Sequence, residues 1–358
     1  MPGPSGRRGL VGLDIGTSAV RAAEITVGSD SATLRRFGQV SLPDGAVRDG
    51  EIVNPAAVTA ALKQLWQKAK FSTRKVAIGV ANQRVVVRQV EVPWLPEREL
   101  RKSLGFQVGE FIPMPIDQAV LDFDAVEEIT TDDGRRMLRI LLVAANKDMI
   151  STAVDVVARA GLEAVSVDLT PFAMIRSLGG SSAFGLGNEG EAIVDVGADV
   201  TNIVVHSQGV PRFVRVLMLG GDDLTDAIAE RLGVDHGTAE KNKLQMKLAS
   251  DAMFADAHPG SRALESAAGQ WVEELRQSLD YYSAQEGSVR IRRVILTGGG
   301  SQLDGLPQRL ATAIRLPVVL ASPLHSLKVG KTGLNADELS GAEALMSVPV
   351  GLALGRAS

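Results

Sequence analysis

The sequence predicts an α/β protein built from two related halves around a cleft, with a smaller α/β unit inserted into the first half. Three observations carry that reading. The stretch LVGLDIGTSAVRAAEI (10–25) sets an apolar strand directly before Asp14, Gly16, Thr17 and Ser18. The stretch EAIVDVGADVTNIVV (191–205) repeats the pattern: laying Asp14 on Asp195 aligns Gly16 with Gly197 and the apolar residues on both sides, the mark of an internal duplication. Between them, residues 82–160 differ in texture, reading strand-helix-strand-strand-helix, which suits a small separate layer.

The elements follow in order. A strand, a turn at Asp14–Ser18, a strand at Val20–Val27 and another at Thr33–Val40 are separated by the turn signals GSDS and LPDG. Asn54-Pro55 opens a helix through Lys70, with Val58, Leu62, Leu65 and Trp66 at helical spacing, and the strand KVAIGVA follows. In the insert, RVVVRQVEVP is a strand ended by Pro93, and PERELRKSLGFQVGEF is a helix ended by Pro113 and Pro115. A strand around Val120–Val126, a charged turn TTDDGRR, the strand MLRILLVAA and the helix KDMISTAVDVVARAG complete it. The second half carries helices from Asp222 to Leu232, from His236 to about Leu248 and around Leu264–Ala284. Then come the strand VRIRRVILTGGG, a helix from Leu306 to Ile314, the strand LPVVLA and a helical return near Ala342. The first half thus comprises 1–81, 161–190 and 340–358, and the second 191–339, with a helical part over about 222–288.

Composition excludes several function classes. The 358 residues, 45% hydrophobic, suffice for about two domains. A net charge of −4 argues against a sequence-independent nucleic-acid surface, and an aromatic content of 4% against base-stacking platforms. With no cysteine, disulfides, thiolate metal sites and cysteine nucleophiles are ruled out, and a reducing compartment is compatible. His206, His236, His258 and His325 lack HxxH or HExxH spacing, which argues against a histidine metal site. No apolar run reaches the roughly 18 residues of a membrane span, and MPGPSGRRG has no segment of signal type. A soluble cytoplasmic protein is expected.

The turns suggest phosphate chemistry. In a hairpin turn, glycine admits close backbone approach and consecutive N–H groups form an anion-binding nest. Asp14 could not itself hold phosphate. A carboxylate there makes sense facing Mg²⁺ through water, while the Gly16, Thr17 and Ser18 amides and hydroxyls take phosphate oxygens. Asp195 would offer the same from the other side of the cleft. One such turn alone reads more readily as ordinary hairpin geometry; the paired occurrence reverses that and favours a site. Gly298, Gly299, Gly300 and Ser301, between a strand and a helix, leave room for a purine or ribose and aim a helix N-terminus at negative charge, or form a merely flexible turn. Glu240 and Lys243 share a helix face, fit for ribose hydroxyls and an adenine face, although most such pairs are solvated salt bridges. Three decoys fall away. GLGNEG precedes a strand instead of opening a helix after one, Gly330-Lys331-Thr332 lacks the upstream glycine of a Walker loop, and the arginines of VRIRRV read as flanking a strand in solvent.

Strand-DxGT-strand, a second DxG and a strand-GGG junction resemble the actin/Hsp70/hexokinase superfamily of ATP-binding folds. GLDIGTSAVRAAE, the insert EVPWLPERELRKSLGFQVGEFIPMPIDQAVLDF, VDLTPFA, IVDVGADVTNIVV and ELRQSLDYY resemble the PilM family of type IV pilus assembly, related to the division protein FtsA. The resemblance implies an actin-like, ribonuclease H-like fold with the PilM/FtsA extra subdomain over about 82–160, and ATP with Mg²⁺ as cofactors. It implies a first phosphate loop of Asp14, Gly16, Thr17 and Ser18 and a second of Asp195, Gly197, Thr201 and Asn202. It also implies a turn at Gly220, Gly221 and Asp222, ribose and base contacts from Glu240 and Lys243, and an adenosine motif at Gly298 to Ser301.

Expected partners are the cytoplasmic N-terminal tail of a PilN-like membrane protein, other assembly-platform components and further copies of the chain, without direct membrane insertion. The chain stops at GLALGRAS, with no apolar-and-basic helix of the FtsA type to lie on a bilayer. A nucleotide-bound scaffold, with at most weak ATPase activity, is the leading expectation. A small-molecule kinase, with Asp168 as a weak candidate for the activating carboxylate, an FtsA-like division protein and a relative that has lost nucleotide binding are the alternatives.

Overall fold

The computed structural model describes residues 9–28, 31–179, 189–248 and 258–355. Gly185 and Gly187 of the rejected GLGNEG motif, the middle of the GSDS turn and both chain termini lie outside them. The first half opens with β1 (Leu10–Ile15), β2 (Ala19–Val27) and β3 (Ala32–Ser41), followed by a small hairpin of β4 (Val47–Arg48) and β5 (Glu51–Ile52). Helix α1 (Pro55–Ala69) starts where the Asn54 side chain accepts from the Ala57 N–H, and it ends at Lys70 in the left-handed conformation. Its Val58, Ala61, Leu62 and Leu65 form one buried stripe, and β6 (Lys75–Val80) returns beside β1.

The insert contains β7 (Val85–Pro93), α2 (Glu97–Val108), β8 (Ala119–Thr130) and β9 (Arg136–Asn146), its sheet ordered β7-β9-β8. Its core is its own: Val90, Val92, Leu100, Leu104, Phe123, Ile140 and Leu142 pack together. Helix α3 (Lys147–Arg159), expected as the last element of the insert, lies elsewhere. Its Val156 and Val157 are buried with Leu62, Leu65 and Ile78 against the first sheet, so the insert's packing ends at Asn146. Apolar spacing identifies a helix but not the sheet that its stripe will cover. Residues 163–169, in which Val165, Val167 and Leu169 alternate with Ser166 and Asp168, form the strand β10 (Glu163–Leu169) beside β6, and α4 (Thr170–Leu178) follows.

The second half repeats the first with β11 (Glu189–Val196), β12 (Thr201–Ser207) and β13 (Val210–Leu217). It continues through α5 (Gly221–Leu232), α6 (His236–Lys243), α7 (Pro259–Ser283), β14 (Arg290–Thr297), α8 (Leu306–Ile314) and β15 (Val318–Leu320). The helix expected to reach Leu248 stops at Lys243. The chain then closes with β16 (Leu327–Val329), α9 (Ala336–Ala342) and α10 (Ser347–Leu354). Strand β16 pairs with β3, so the return to the first sheet begins before residue 340, the expected boundary.

The duplication is visible in the topology. One sheet runs β10-β6-β1-β2-β3-β16 and the other β13-β12-β11-β14-β15. In each, a three-stranded antiparallel meander is flanked by parallel strands beside its first member. Register is also shared: Asp14 opposes Arg21 and Ile15 opposes Val20, while Asp195 opposes Asn202 and Val196 opposes Thr201.

Helices α4 and α10 lie between the sheets. Met174, Ile175, Leu178, Val348 and Leu352 pack with Ala77 of the first sheet and with Ile193, Val204 and Ile295 of the second. Helices α1 and α3 cover the outer face of the first sheet, and α5, α7 and α8 that of the second. Covered on both faces, β11 and β12 are buried almost throughout, as central strands of α/β layers are.

Candidate functional site

Both Asp-x-Gly turns stand at the carboxyl ends of central strands, where α/β sheets leave a crevice. Each is closed by the same hydrogen bond: the Gly16 N–H donates to Ala19 O at 3.1 Å, and the Gly197 N–H to Val200 O at 2.9 Å. Asp14 and Asp195 are half-buried, Thr17 is half-buried and Ser18 is exposed.

Electrostatics bring the two turns into one neighbourhood. Burial pushes Asp195 up from 3.8 to about 6, and the charge of Asp14 pushes the same way; the Asn202 amide and Arg21 oppose them. Asp14 is likewise raised by burial, against the pull of Arg21. A desolvated carboxylate that also feels a neighbouring carboxylate's charge is short of positive charge.

Arg21 was not singled out from the sequence, yet it stands within this gap. Its Nη1 is 3.6 Å from Asp14 Oδ2, its Nη2 donates to Ser18 Oγ at 3.5 Å, and its buried Nε has no partner. The signal was available in the register, since a hairpin closed at Gly16 sets Arg21 opposite Asp14. In the second turn Asn202 holds the equivalent position. Its Nδ2 donates to Asp195 Oδ2 at 3.3 Å, while its buried Oδ1 has no partner.

The glycine turn after β14 wraps onto Asp195. Gly298 has φ +84°, and a Cβ there would lie 2.5 Å from Asp195 Oδ1 and 2.5 Å from Val196 O, so any side chain would collide with the turn. Ser301 is buried, its Oγ donating to Gly298 O at 2.7 Å; it braces the turn instead of facing outward. A 3-10 turn over Gly299–Gln302 follows, and α8 begins only at Leu306. The expected helix N-terminus is therefore set back from the glycines.

The Gly220–Asp222 segment is stitched to the second turn. The Gly221 N–H donates to Gly197 O at 3.0 Å and the Asp222 N–H to Ala198 O at 2.7 Å. Beside it, Lys243 Nζ reaches Gly221 O at 2.7 Å, Thr225 Oγ1 at 2.7 Å and Glu240 Oε2 at 2.6 Å. With only 11% of its side chain exposed, this is no solvated surface pair. The three N–H donors of the ammonium meet three acceptors, so Lys243 binds α6 to α5, and Glu240 is the more exposed member. Burial works against the Glu240 charge, but hydrogen bonds from Lys243 and Thr225 hold its carboxyl below the usual range.

Two expected residues turn away from the cleft. Thr201 is wholly buried: its hydroxyl donates to Leu219 O at 2.7 Å and accepts from the Trp271 indole at 3.1 Å. Alternation sends this side chain into the core, because its neighbour Asn202 faces Asp195. Asp168 is committed to Arg176, whose Nε also donates to Gly351 O at 3.0 Å, and to the Leu169 N–H at 2.7 Å. It fastens β10 to α4 and α10. Of the VRIRRV arginines, Arg292 pairs with Glu189 at the surface, but Arg293 pairs with the buried Glu191, so it is not a solvent flank. Among the described residues there is no group of three or more His, Cys, Asp or Glu side chains placed to hold a metal, and no helix is long and apolar enough to cross a membrane.

Two duplicated α/β halves that enclose facing acidic turns, with a glycine turn beside one of them, define an actin-like protein. The structure of MreB5 of Spiroplasma citri bound to ADP shares that fold: TM-score 0.53 and 13% identity over 98% of this chain and 97% of that one. The family model for type IV pilus assembly protein PilM matches residues 12–357, and the chain belongs to that family. It is similar to the structure titled PilM-PilN type IV pilus biogenesis complex, with TM-score 0.81 and 26% identity over 96% of this chain and 97% of that one. Among curated proteins it is 24% identical to the cell division protein FtsA of Bacillus subtilis (strain 168), over 87% of this chain and 78% of that one.

Proposed function

We propose that the cleft binds ATP with Mg²⁺ and that nucleotide sets how far the two halves close. In this reading the chain serves as a docking protein of a type IV pilus assembly platform, held at the inner face of the cytoplasmic membrane by the N-terminal tail of a PilN-like protein. The observation that carries the nucleotide reading is the pair of register-matched turns, with both carboxylates raised by burial and that of Asp195 raised further by the charge of Asp14. Family membership and likeness to a PilM-PilN complex support the partner.

The donor set suits a hard divalent cation. Asp14 and Asp195 are desolvated carboxylates, and the orphaned Asn202 Oδ1 lies beside them. Phosphate oxygens and water would complete a coordination shell that two carboxylates leave open. When bound, Mg²⁺ supplies the positive charge that the gap lacks. The Thr17, Ser18 and Ala198 amides would hold phosphate oxygens, since the Gly16 and Gly197 N–H groups are spent on closing their turns, and Arg21 would offer its unpaired Nε–H edge to the same anion. Glu240 accepts from ribose, and the glycine turn gives the flat approach for the base. The commitment of Asp168 to Arg176 favours a scaffold over a phosphotransferase, because an activating base needs a free oxygen at the acceptor.

Titration of a fluorescent ATP analogue, with Mg²⁺ and with EDTA, tests this. Asp14→Ala should weaken Mg²⁺-dependent binding by about tenfold or more. Unchanged affinity removes the metal role. A PilN-like tail peptide titrated with and without nucleotide tests the coupling, and affinity indifferent to nucleotide refutes it.

A further inference from the structure

We propose that the Asp49–Asp199 hydrogen bond is a latch that holds the two halves together across the mouth of the cleft. The Asp49 N–H donates to Asp199 Oδ2 at 2.6 Å, joining the β4–β5 hairpin of the first half to the acidic turn of the second. Asp49 and Gly50 form the two-residue tip of that hairpin, with φ +55° and +73°, the signs of a type I′ turn. This geometry points the Asp49 N–H outward instead of into the ladder.

Each end of the latch is fixed to its own half. A Cβ on Gly50 would lie 2.2 Å from Ala81 O, so the tip sits directly on the end of β6. Glu51 accepts from Asn82 Nδ2 at 3.2 Å and pairs with Arg84 at 3.1 Å, which holds the hairpin there. On the other side, the turn bearing Asp199 is bonded to the start of α5 through Gly197 O and Ala198 O. A pull on one end therefore moves a sheet, not a loose loop.

The duplication isolates the carboxylate's purpose. Both turns have the same register and closing bond, but the position of Asp199 is occupied by Ser18 in the first turn. Hairpin geometry does not require a side-chain acceptor of that reach there; bridging to the Asp49 N–H does. The latch also has something to oppose, since closure brings Asp14 and Asp195 together, and like charges drive the halves apart. Helices α4 and α10 join the sheets through a packed core, which leaves the acidic mouth as the side able to open.

The chain has no cysteine, so a label pair can be introduced cleanly. Lys68→Cys on α1 and Glu230→Cys on α5 are exposed positions on the outer layers of the two halves. Spin-label distances are measured without nucleotide in the otherwise unchanged chain, in Asp199→Ala and in Asp199→Asn, with far-UV circular dichroism checking the fold. Asp199→Ala should give a broader distribution shifted to longer separation, and Asp199→Asn, which keeps an acceptor oxygen, should match the parent. A distribution in Asp199→Ala identical to the parent overturns the latch, as does an Asn variant that opens as far as the Ala one. Should Asp199→Ala fail to fold, Asp199→Ser, the residue of the first turn, carries the same expectation. No arm contains nucleotide, so the result stands or falls separately from ATP binding.

Discussion

Replacing Asp195 with asparagine should stabilise the nucleotide-free protein, and by an amount that depends on pH. In the folded protein the carboxyl is raised from 3.8 to about 6 by burial and by the charge of Asp14, whereas in the unfolded chain it returns to its ordinary value. A raised folded value means that the folded state binds the proton more tightly. Its contribution to stability is therefore complete below about pH 4 and withdrawn as pH rises through about 6, beyond which an ionised carboxylate stays desolvated beside Asp14. A shift of about two units at about 1.4 kcal/mol each sets the penalty at roughly 3 kcal/mol near pH 8. Asparagine keeps an acceptor for the Asn202 amide and carries no charge, so it escapes the penalty. Urea denaturation in EDTA, followed by the fluorescence of the three tryptophans, should show the variant more stable than the parent by up to about 3 kcal/mol near pH 8. The difference should vanish near pH 4. The same variant should bind Mg²⁺-nucleotide less well, the opposed signs expected of a strained functional group. A stability difference that is absent near pH 8, or equal at both pH values, would refute the reasoning.

Gly298→Ala should cost on the order of 2 kcal/mol or more, because φ +84° and a Cβ 2.5 Å from Asp195 Oδ1 cannot both be accommodated; a melting temperature within a degree of the parent contradicts this. Thr201→Val should lose about 1–3 kcal/mol by orphaning Leu219 O and the Trp271 indole. Its affinity for an ATP analogue should be unchanged where it is folded. Lost affinity with unchanged stability would return Thr201 to the cleft.

The sequence by itself determined the two acidic hairpins. Alternation, a turn with glycine two residues after aspartate, and repetition of both at Asp195 are local facts that need no knowledge of the fold. They are sufficient to state the duplication, the facing carboxylates and the separate texture of the insert. Helix α1 was legible end to end for the same reason, since Asn54-Pro55 and an apolar stripe are written in consecutive residues.

Tertiary structure decided which surfaces those elements share. Helix α3 joins the first sheet because Val156 and Val157 find Leu62 and Ile78, and no pattern within α3 distinguishes that partner from the insert's own sheet. Thr201 and Asn202 are adjacent polar residues in the sequence; the pleat sends one into the core and the other to Asp195. Arg21, Asp168 and Lys243 took their roles from what stands opposite them: a carboxylate, a guanidinium and a ring of acceptors. Periodicity tells which face of an element is buried, but a charged side chain acts through distance and desolvation, and both are set by residues far away along the chain.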